Sequence, residues 1–249
     1  MTDESARPTL YSGIILYSAA DPEASAMMVE NGVVAWTGPE ETARTVFPDT
    51  VRIDAEGCLI TPGFVDAVPT ADGSVPDERW WQRAHRRGVT AAVPGTAGER
   101  DGIRVCVPTQ QQDVPYRQLS AEGTPLAFGS GGDESTGPWA WVRAAAHEGP
   151  VENRISDRAA YLASSRGGHR LAGTPHPGSL TPGAPATFVV WEPWDLTVRG
   201  QDERIQTWST DPRSRTPMLP DLTDGAPRAL RTVIDGRIVH DELKSPGTA

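Results

Sequence analysis

The sequence predicts a mixed α/β protein in which two β-rich end segments flank an α/β middle. Short apolar runs separated by Gly-centred turns fill residues 9–60. A second β-rich region covers residues 178–240, and the stretch between them alternates short helical and strand patterns. This arrangement indicates that the two ends build one β-structure and that the middle builds a separate layer.

The N-terminal segment is predicted to be a β-meander. Asn31 and Gly32 form the strongest hairpin signal, because both positions accept a positive φ. Glu56 and Gly57 mark the next turn. The predicted strands cover residues 14–17, 26–29, 33–36 and 50–54.

The middle of the chain predicts helices that alternate with strands. Ser156 is a candidate N-cap for a helix that ends at Gly167 and Gly168. Pro138 suits the first turn of another helix. The predicted helices cover residues 80–87, 115–122, 138–147 and 157–165, and the predicted strands cover 64–68, 89–93, 103–107 and 125–128.

The C-terminal segment predicts a buried strand and a hairpin. The strand covers residues 186–191, and the hairpin covers 231–240 with its turn at Asp235 and Gly236. Residues 198–227 are rich in Pro, Asp, Arg and Ser, and predict an ordered but irregular excursion.

Composition narrows the function classes. A net charge of −10 argues against nucleic acid or an anionic membrane as partner, because both attract basic surfaces. The N-terminus is polar, and no run approaches 18 apolar residues, so we expect a soluble, cytoplasmic protein without a signal peptide or membrane span. Cys58 and Cys106 are too few and too isolated for a disulfide framework or a cysteine-based zinc site.

Four ordered segments resemble the amidohydrolase superfamily, particularly actinobacterial amidohydrolases related to N-substituted formamide deformylases. They cover about three quarters of the chain. The segments are GVVAWTGPEETAR; IDAEGCLITPGFVDA; GTPLAFGS with GPWAWVRAAAHE and ISDRAAYLASSRGGHRLAG; and GSLTPGAPATFVVWEP with RTVIDGRIVH.

The resemblance implies a composite β-sandwich beside a (β/α)₈ barrel. By this resemblance, residues 8–63 and 177–243 form the sandwich, 64–176 form the barrel part, and 244–249 are a tail. A complete barrel needs roughly 200–250 residues, so this one is predicted to be a truncated, open remnant. Its strands 64–68, 89–93 and 125–128 match the first, second and eighth strands of the family, which are neighbours in a closed barrel. We therefore expect them to pair as one contiguous parallel sheet.

The same resemblance implies that the metal ligands are missing. The family uses zinc or another divalent metal, held in part by two histidines in a Val-Asp-Ala-His-x-His sequence and by an aspartate after strand eight. Here the histidine positions are Val68 and Thr70, and the aspartate position is Gly131. Valine and glycine side chains offer no donor atom, and a threonine hydroxyl is a poor zinc ligand. We therefore predict no metal and no other cofactor, and a vestigial pocket formed by Val68, Thr70, Ser130 and Gly131.

Three hypotheses about function stay open. The first is a non-catalytic pseudoenzyme with a structural or regulatory role. The second is a hydrolase of non-peptide C–N bonds with a rebuilt site, for which Asp66, Asp133 and Glu134 are the candidate catalytic residues. The third is a small-molecule binding module that uses the vestigial pocket. The tryptophans at 80, 81, 139 and 141 are expected to surround this pocket, and the five histidines are expected to be structural.

Missing barrel strands also predict a protein partner. An open remnant has two strand edges with unpaired backbone groups. Lost helices are expected to uncover apolar surface at Val65, Val89, Val93 and Leu126. We therefore expect a homo-oligomer or a complex with a larger protein, such as an intact amidohydrolase.

Overall fold

A computed structural model describes residues 7–197 and 217–243 and confirms the mixed α/β class. Most of the predicted excursion at 198–227 and the tail at 244–249 lie outside these residues. The strands are β1 (Thr9–Ser12), β2 (Ile15–Leu16), β3 (Ala26–Glu30), β4 (Val33–Gly38), β5 (Val51–Asp54), β6 (Leu59–Pro62), β7 (Phe64–Asp66), β8 (Val89–Ala92), β9 (Gly98–Arg100), β10 (Ile103–Cys106), β11 (Leu126–Phe128), β12 (Phe188–Trp191), β13 (Leu196–Thr197), β14 (Leu219–Pro220), β15 (Ala229–Ile234) and β16 (Arg237–Asp241). The helices are α1 (Glu40–Val46), α2 (Glu78–Arg86), α3 (Tyr116–Ala121), α4 (Trp139–His147), α5 (Asp157–Leu162) and α6 (Gly168–Leu171). No helix in the described ranges is long and apolar enough to cross a membrane.

Two sheets lie at this end of the molecule, and one of them combines strands from both ends of the chain. One has the order β4-β3-β1-β5, and the other has the order β16-β15-β12-β6-β2. In the second sheet, β6 and β12 run antiparallel with Ile60 opposite Val190. An apolar cluster that includes Met27, Ile60 and Phe188 contains side chains from both sheets. The N- and C-terminal segments therefore share a sheet and a core, while the exact domain limits stay a prediction.

The two predicted hairpin turns form as expected. Asn31 and Gly32 have φ values of 51° and 78°, and Asp235 and Gly236 have φ values of 49° and 78°. These are the positive values that a two-residue hairpin loop requires. The two turns also touch, because a Cβ added to Gly236 would lie 2.8 Å from the Cα of Gly32.

The barrel remnant corrects the predicted strand order. β7 pairs with β8 in parallel as expected, but the ladder partner of β11 is β10, and β9 pairs antiparallel on the far side of β10. β11 meets β7 at their C-terminal ends, where Ala67 N donates to Phe128 O over 3.1 Å. Arg100 on β9 reaches back to Ala67 O over 2.8 Å. The pair β9–β10 therefore covers an edge of β11 that would otherwise be open, because the barrel strands that would pair with it are missing.

The predicted apolar surface of the remnant is wrong for two of its four residues. Val65 and Val89 are 0% and 1% exposed, while Val93 and Leu126 are half-buried. Val65 is covered by α6, since a Cβ added to Gly168 would lie 2.4 Å from the Cβ of Val65. The helices that remain therefore protect the strands from water.

The helix that begins after Ser156 is longer than predicted. Ser156 caps it as expected, with Oγ accepting from Ala159 N over 3.2 Å. Gly167 and Gly168 do not end it; the chain passes through a π-helical turn at 163–167 and continues as α6. Both glycines keep helical φ values, and a Cβ on Gly167 would lie 2.0 Å from Leu126 O. They are glycines because the helix passes this close to β11 and β7.

An aromatic core joins the remnant to the sandwich. Phe64 lies 4.9 Å from Trp139, and Trp139 lies 5.3 Å from Trp191, measured between ring centroids. Tyr161 Oη donates to Pro62 O over 2.9 Å, and Trp191 Nε1 donates to Thr61 Oγ1 over 2.9 Å. Trp139 therefore packs beside the start of β7, which corrects the expectation that it surrounds the pocket at the opposite end of that strand.

Candidate functional site

Asp66 ends β7 and lies at the centre of the predicted pocket. Its side chain is buried, and Oδ1 accepts two backbone N–H groups, from Val68 over 3.0 Å and from Ser130 over 2.9 Å. The first bond is an Asx turn, which is a local preference of aspartate. The second joins residues 64 positions apart in the sequence, so Asp66 connects the loop after β7 to the loop after β11.

The second oxygen of Asp66 is less well compensated. Oδ2 is buried and has no hydrogen-bond partner among the described residues. Burial raises the pKa of Asp66, and the hydrogen bonds from Ser130 and Val68 and the charge of Arg87 oppose that rise. Asp66 thus holds the backbone of two loops through Oδ1, while its hydrogen bonds and the charge of Arg87 offset only part of the cost of burying its charge.

Val68, Ser130 and Gly131 fill the space where the pocket was predicted. Val68 and Ser130 are 3% and 1% exposed. Ser130 Oγ donates to Val68 O over 3.2 Å, and Gly131 N donates to the same carbonyl over 2.9 Å. A Cβ on Gly131 would lie 2.7 Å from Val107 Cγ1, and φ at Gly131 is 66°. The two loops therefore close on each other and leave no room for a longer side chain at Gly131.

Thr70 does not join this group of residues. Its hydroxyl donates to Ser74 O over 2.9 Å and accepts from Ser74 Oγ over 3.3 Å, within its own loop. Thr70 is half-buried, and its oxygen serves that turn.

Asp133 and Glu134 do not converge on Asp66. Asp133 Oδ1 accepts from Ser135 N over 2.8 Å and from Ser135 Oγ over 2.6 Å. Glu134 forms an ion pair with Arg83 on α2. These hydrogen bonds hold the pKa of both carboxyls below their usual values. The structure therefore does not bring these two candidate residues to Asp66.

Comparisons with solved structures identify the fold. No protein-family model matches the sequence. An enamidase, described as a member of the amidohydrolase superfamily, aligns over 97% of this chain and 97% of its own at a TM-score of 0.55 and 14% identity. A zinc-bound adenosine deaminase from Xanthomonas campestris aligns over 98% and 95% at a TM-score of 0.60 and 11% identity. Guanine deaminase of E. coli aligns over 94% and 99% at a TM-score of 0.54 and 14% identity.

The chain has the fold of the amidohydrolase superfamily. At these identities, the structural likeness defines the fold and not the activity. A stretch of 43 residues is 51% identical to imidazolonepropionase of Salinispora arenicola (strain CNS-205). That stretch is 17% of this chain and 10% of the relative, so the match spans about a tenth of the curated protein.

The residues around Asp66 do not fit a divalent metal. The described residues contain no group of three or more His, Cys, Asp or Glu side chains placed to hold an ion. Asp66 Oδ1 already accepts two N–H groups, and the sequence has a single lysine, Lys244, in the C-terminal tail. Ligand sets for zinc need three or four donor side chains. This donor set supplies one buried carboxylate.

The histidines serve other contacts. His147 Nε2 lies 2.5 Å from Asp157 Oδ1, and the His85 ring packs 5.5 Å from the Trp81 ring. The rings of His169 and His176 stack at 4.3 Å with an angle of 11°. Burial, with a smaller contribution from His176, lowers the pKa of His169 to about 4. Burial also lowers the pKa of His176, so both rings of this pair favour the neutral form.

The two hydrogen bonds of Asp66 differ in whether the sequence could predict them. The Asx turn to Val68 has a local signal, because aspartate two residues before an amide favours that turn. The bond to Ser130 has none, because it depends on β11 lying beside β7. Asp66 is one of the three candidate catalytic residues, and its contacts are those of a residue that fixes two loops.

Proposed function

We propose that this protein is a non-catalytic amidohydrolase-fold protein with a structural or regulatory role in a protein assembly. The observation that carries the proposal is the use of the Asp66 carboxylate by the backbone of its two flanking loops. Val68, Thr70 and Gly131 stand at the positions of the family's metal ligands. None of them adds a metal-ligand atom directed at the Asp66 carboxylate.

The contacts of the acidic residues argue against a rebuilt hydrolytic site. A general base must reach the proton that it removes, within hydrogen-bond distance or through one water. Asp133 is engaged by Ser135, and Glu134 is engaged by Arg83 on the exposed side of α2. Asp66 is 1% exposed and has Val68 and Ser130 packed over it.

Exposed apolar side chains on edge strands support a protein partner. Val51 on β5 and Ile238 on β16 are 52% and 49% exposed. Among the described strands each is the last in its sheet, so one side of each presents backbone groups without a strand partner there. The partner that we propose is a second copy of this chain or a larger protein that pairs along β5 or β16.

Metal analysis of tag-free protein tests the non-catalytic role. The protein is purified without added metal and then dialysed against micromolar zinc, with excess removed before elemental analysis. We expect far less than one equivalent of zinc per chain and no change in unfolding temperature. One tightly held equivalent, together with metal-dependent hydrolysis of an amide or amidine, would overturn the proposal and favour the C–N hydrolase.

A further inference from the structure

A cavity of about 380 Å³ lies apart from the vestigial pocket, between α2, the start of α4 and the segment 225–229. None of its lining residues belongs to the group around Asp66. Its volume falls near the lower end of the range of cavities that hold small molecules.

The lining of this cavity is cationic. Arg86, Arg87, Arg143 and Arg228 contribute to it, and no described residue of the lining is acidic. The chain as a whole carries a net charge of −10. A concentration of positive charge in an acidic protein produces a local potential that attracts anions.

Two of these arginines form no salt bridge in the part of the chain that the structure describes. Arg228 is paired with Glu242 and lies 3.7 Å from Glu192. Arg86 and Arg87, in contrast, form no salt bridge in the described ranges, although the charges of Glu134, Asp66 and Asp133 act on Arg87.

Arg87 is also held in place within the lining. It donates to Arg83 O over 3.3 Å and to Thr136 O over 3.2 Å. Burial lowers the pKa of Arg87, and the charges of Glu134 and Asp66 oppose that fall. An anion beside Arg87 would add to this partial compensation of a charge that has lost part of its hydration.

The floor of the cavity is aromatic. Trp139 and Trp191 line it, and both are 1% exposed, so each indole meets the cavity over a small area. The Nε1 of Trp139 is buried and has no acceptor among the described residues. Helix α4 begins here without a side-chain cap, so its positive N-terminal end adds to the potential.

We propose that this cavity is a binding site for a small aromatic carboxylate, whose ring rests on Trp139 and Trp191 and whose carboxylate meets Arg86 and Arg87. Guanidinium groups bind carboxylates through charge-assisted hydrogen bonds. A flat, apolar ring packs better against the side chains of Trp139, Trp191 and the lining prolines Pro138 and Pro227 than a hydrated inorganic anion does. This proposal does not rest on the proposed non-catalytic role: no lining residue belongs to the group around Asp66, and Arg87 acts on Asp66 through its charge alone.

Calorimetric titration of the full chain tests the proposal with three probes: 2-naphthoate, neutral 2-naphthamide and inorganic phosphate. We expect saturable binding of one 2-naphthoate per chain, and at least tenfold weaker binding of the other two. No saturable heat with millimolar 2-naphthoate overturns the proposal. Equal affinity for 2-naphthamide overturns the role of the arginines, and equal affinity for phosphate overturns the role of the ring.

Two pairs of matched variants locate the site. Arg86→Gln is expected to weaken 2-naphthoate binding about threefold to tenfold, as expected for one charge-assisted contact at a solvated position. Arg79→Gln, on the same helix but outside the lining, is expected to leave it unchanged. Ala140→Phe places a ring in the cavity and is expected to abolish binding, whereas Ala146→Phe, later on the same helix, is expected to preserve it.

Unfolding midpoints establish that each variant is folded before its affinity is interpreted. If Ala140→Phe does not fold, the Arg86→Gln and Arg79→Gln pair decides the outcome. Wild-type affinity in Arg86→Gln, or an equal loss in Arg79→Gln, would place the ligand elsewhere and overturn the assignment.

Discussion

Replacing Asp66 by alanine removes the acceptor that two buried backbone N–H groups share, those of Val68 and Ser130. A buried donor that loses its partner costs about 1–3 kcal/mol, so the two together cost about 2–6 kcal/mol. Removing a buried carboxylate whose Oδ2 has no partner among the described residues returns part of this. We expect Asp66→Ala to lower the free energy of unfolding by about 2–4 kcal/mol at pH 7.

Asp66→Asn separates the hydrogen bonds from the charge. Asparagine keeps one oxygen as acceptor, so we expect its stability at pH 7 to lie within about 1 kcal/mol of wild type. Burial raises the pKa of Asp66 above its ordinary value of 3.8, so the folded state binds this proton more readily than the unfolded state. The contribution of Asp66 to stability therefore falls as the pH rises from 3.8 through the folded pKa, and the variant lacks this dependence.

Urea unfolding followed by tryptophan fluorescence measures both variants at pH 4, 5.5 and 7. Asp72→Ala is the matched control, because Asp72 forms the same type of turn, accepting from Ser74 N over 3.0 Å, but is exposed. We expect that control to cost less than about 1 kcal/mol. A cost below 1 kcal/mol for Asp66→Ala, or a loss in Asp66→Asn as large as in Asp66→Ala, would refute the role assigned to this carboxylate.

Three further changes test other parts of the fold. Gly167→Ala drives a methyl group into β11 and is expected to cost about 1–3 kcal/mol, whereas Gly137→Ala, with open space around its Cβ position, is expected to be neutral or slightly stabilising; thermal unfolding compares them. The pKa of His169 is lowered from 6.5 to about 4, so acidification to pH 5 costs wild type about 2 kcal/mol through this residue, and His169→Phe should lose correspondingly less stability between pH 7 and 5. Light scattering at micromolar concentration is expected to give an oligomeric mass for wild type and a smaller mass for Ile238→Lys, with Val75→Lys, at a 77% exposed loop position, unchanged. A monomeric wild type with no partner in native extracts would remove the basis for the proposed assembly.

Features with a local cause were predictable from the sequence. The hairpin turn at Asn31 and Gly32 follows from two adjacent residues that accept positive φ. The cap at Ser156 follows from a hydroxyl that reaches the third residue of the helix. In each case the residues that decide the structure lie within four positions of one another.

Other elements gave no usable local signal. Helix α1 starts after Pro39 without a side-chain cap, and β9 has only three residues. The place of β10 beside β11 is a contact between segments about 20 residues apart, and its apolar pattern shows only that it is a strand. Two adjacent glycines, Gly167 and Gly168, predict a helix end. The close approach of β11 and β7 that requires glycine at these positions is a tertiary contact, so it gives no signal in the local sequence.

The cationic cavity was hidden for the same reason. Arg86 and Arg87 lie at the end of α2, which is rich in arginine. In a sequence, such a cluster of arginines is typical of a helix face that is exposed to solvent. The segment 225–229 that completes the cavity is more than 130 residues away in the sequence. The sign of the lining becomes evident only when α2, α4 and that segment are brought together.

The exposed apolar side chains that support assembly lie on other strands than the sequence predicted. The sequence predicted exposed apolar surface on the barrel remnant, but Val65 and Val89 are buried, and β10 pairs along the edge of β11. The exposed apolar residues on edge strands include Val51 and Ile238 in the sandwich. An edge of this kind, long enough to pair with another strand, is a site that proteins protect or use. The test of assembly therefore belongs at β5 and β16, where a charged substitution disrupts pairing without disturbing the remnant.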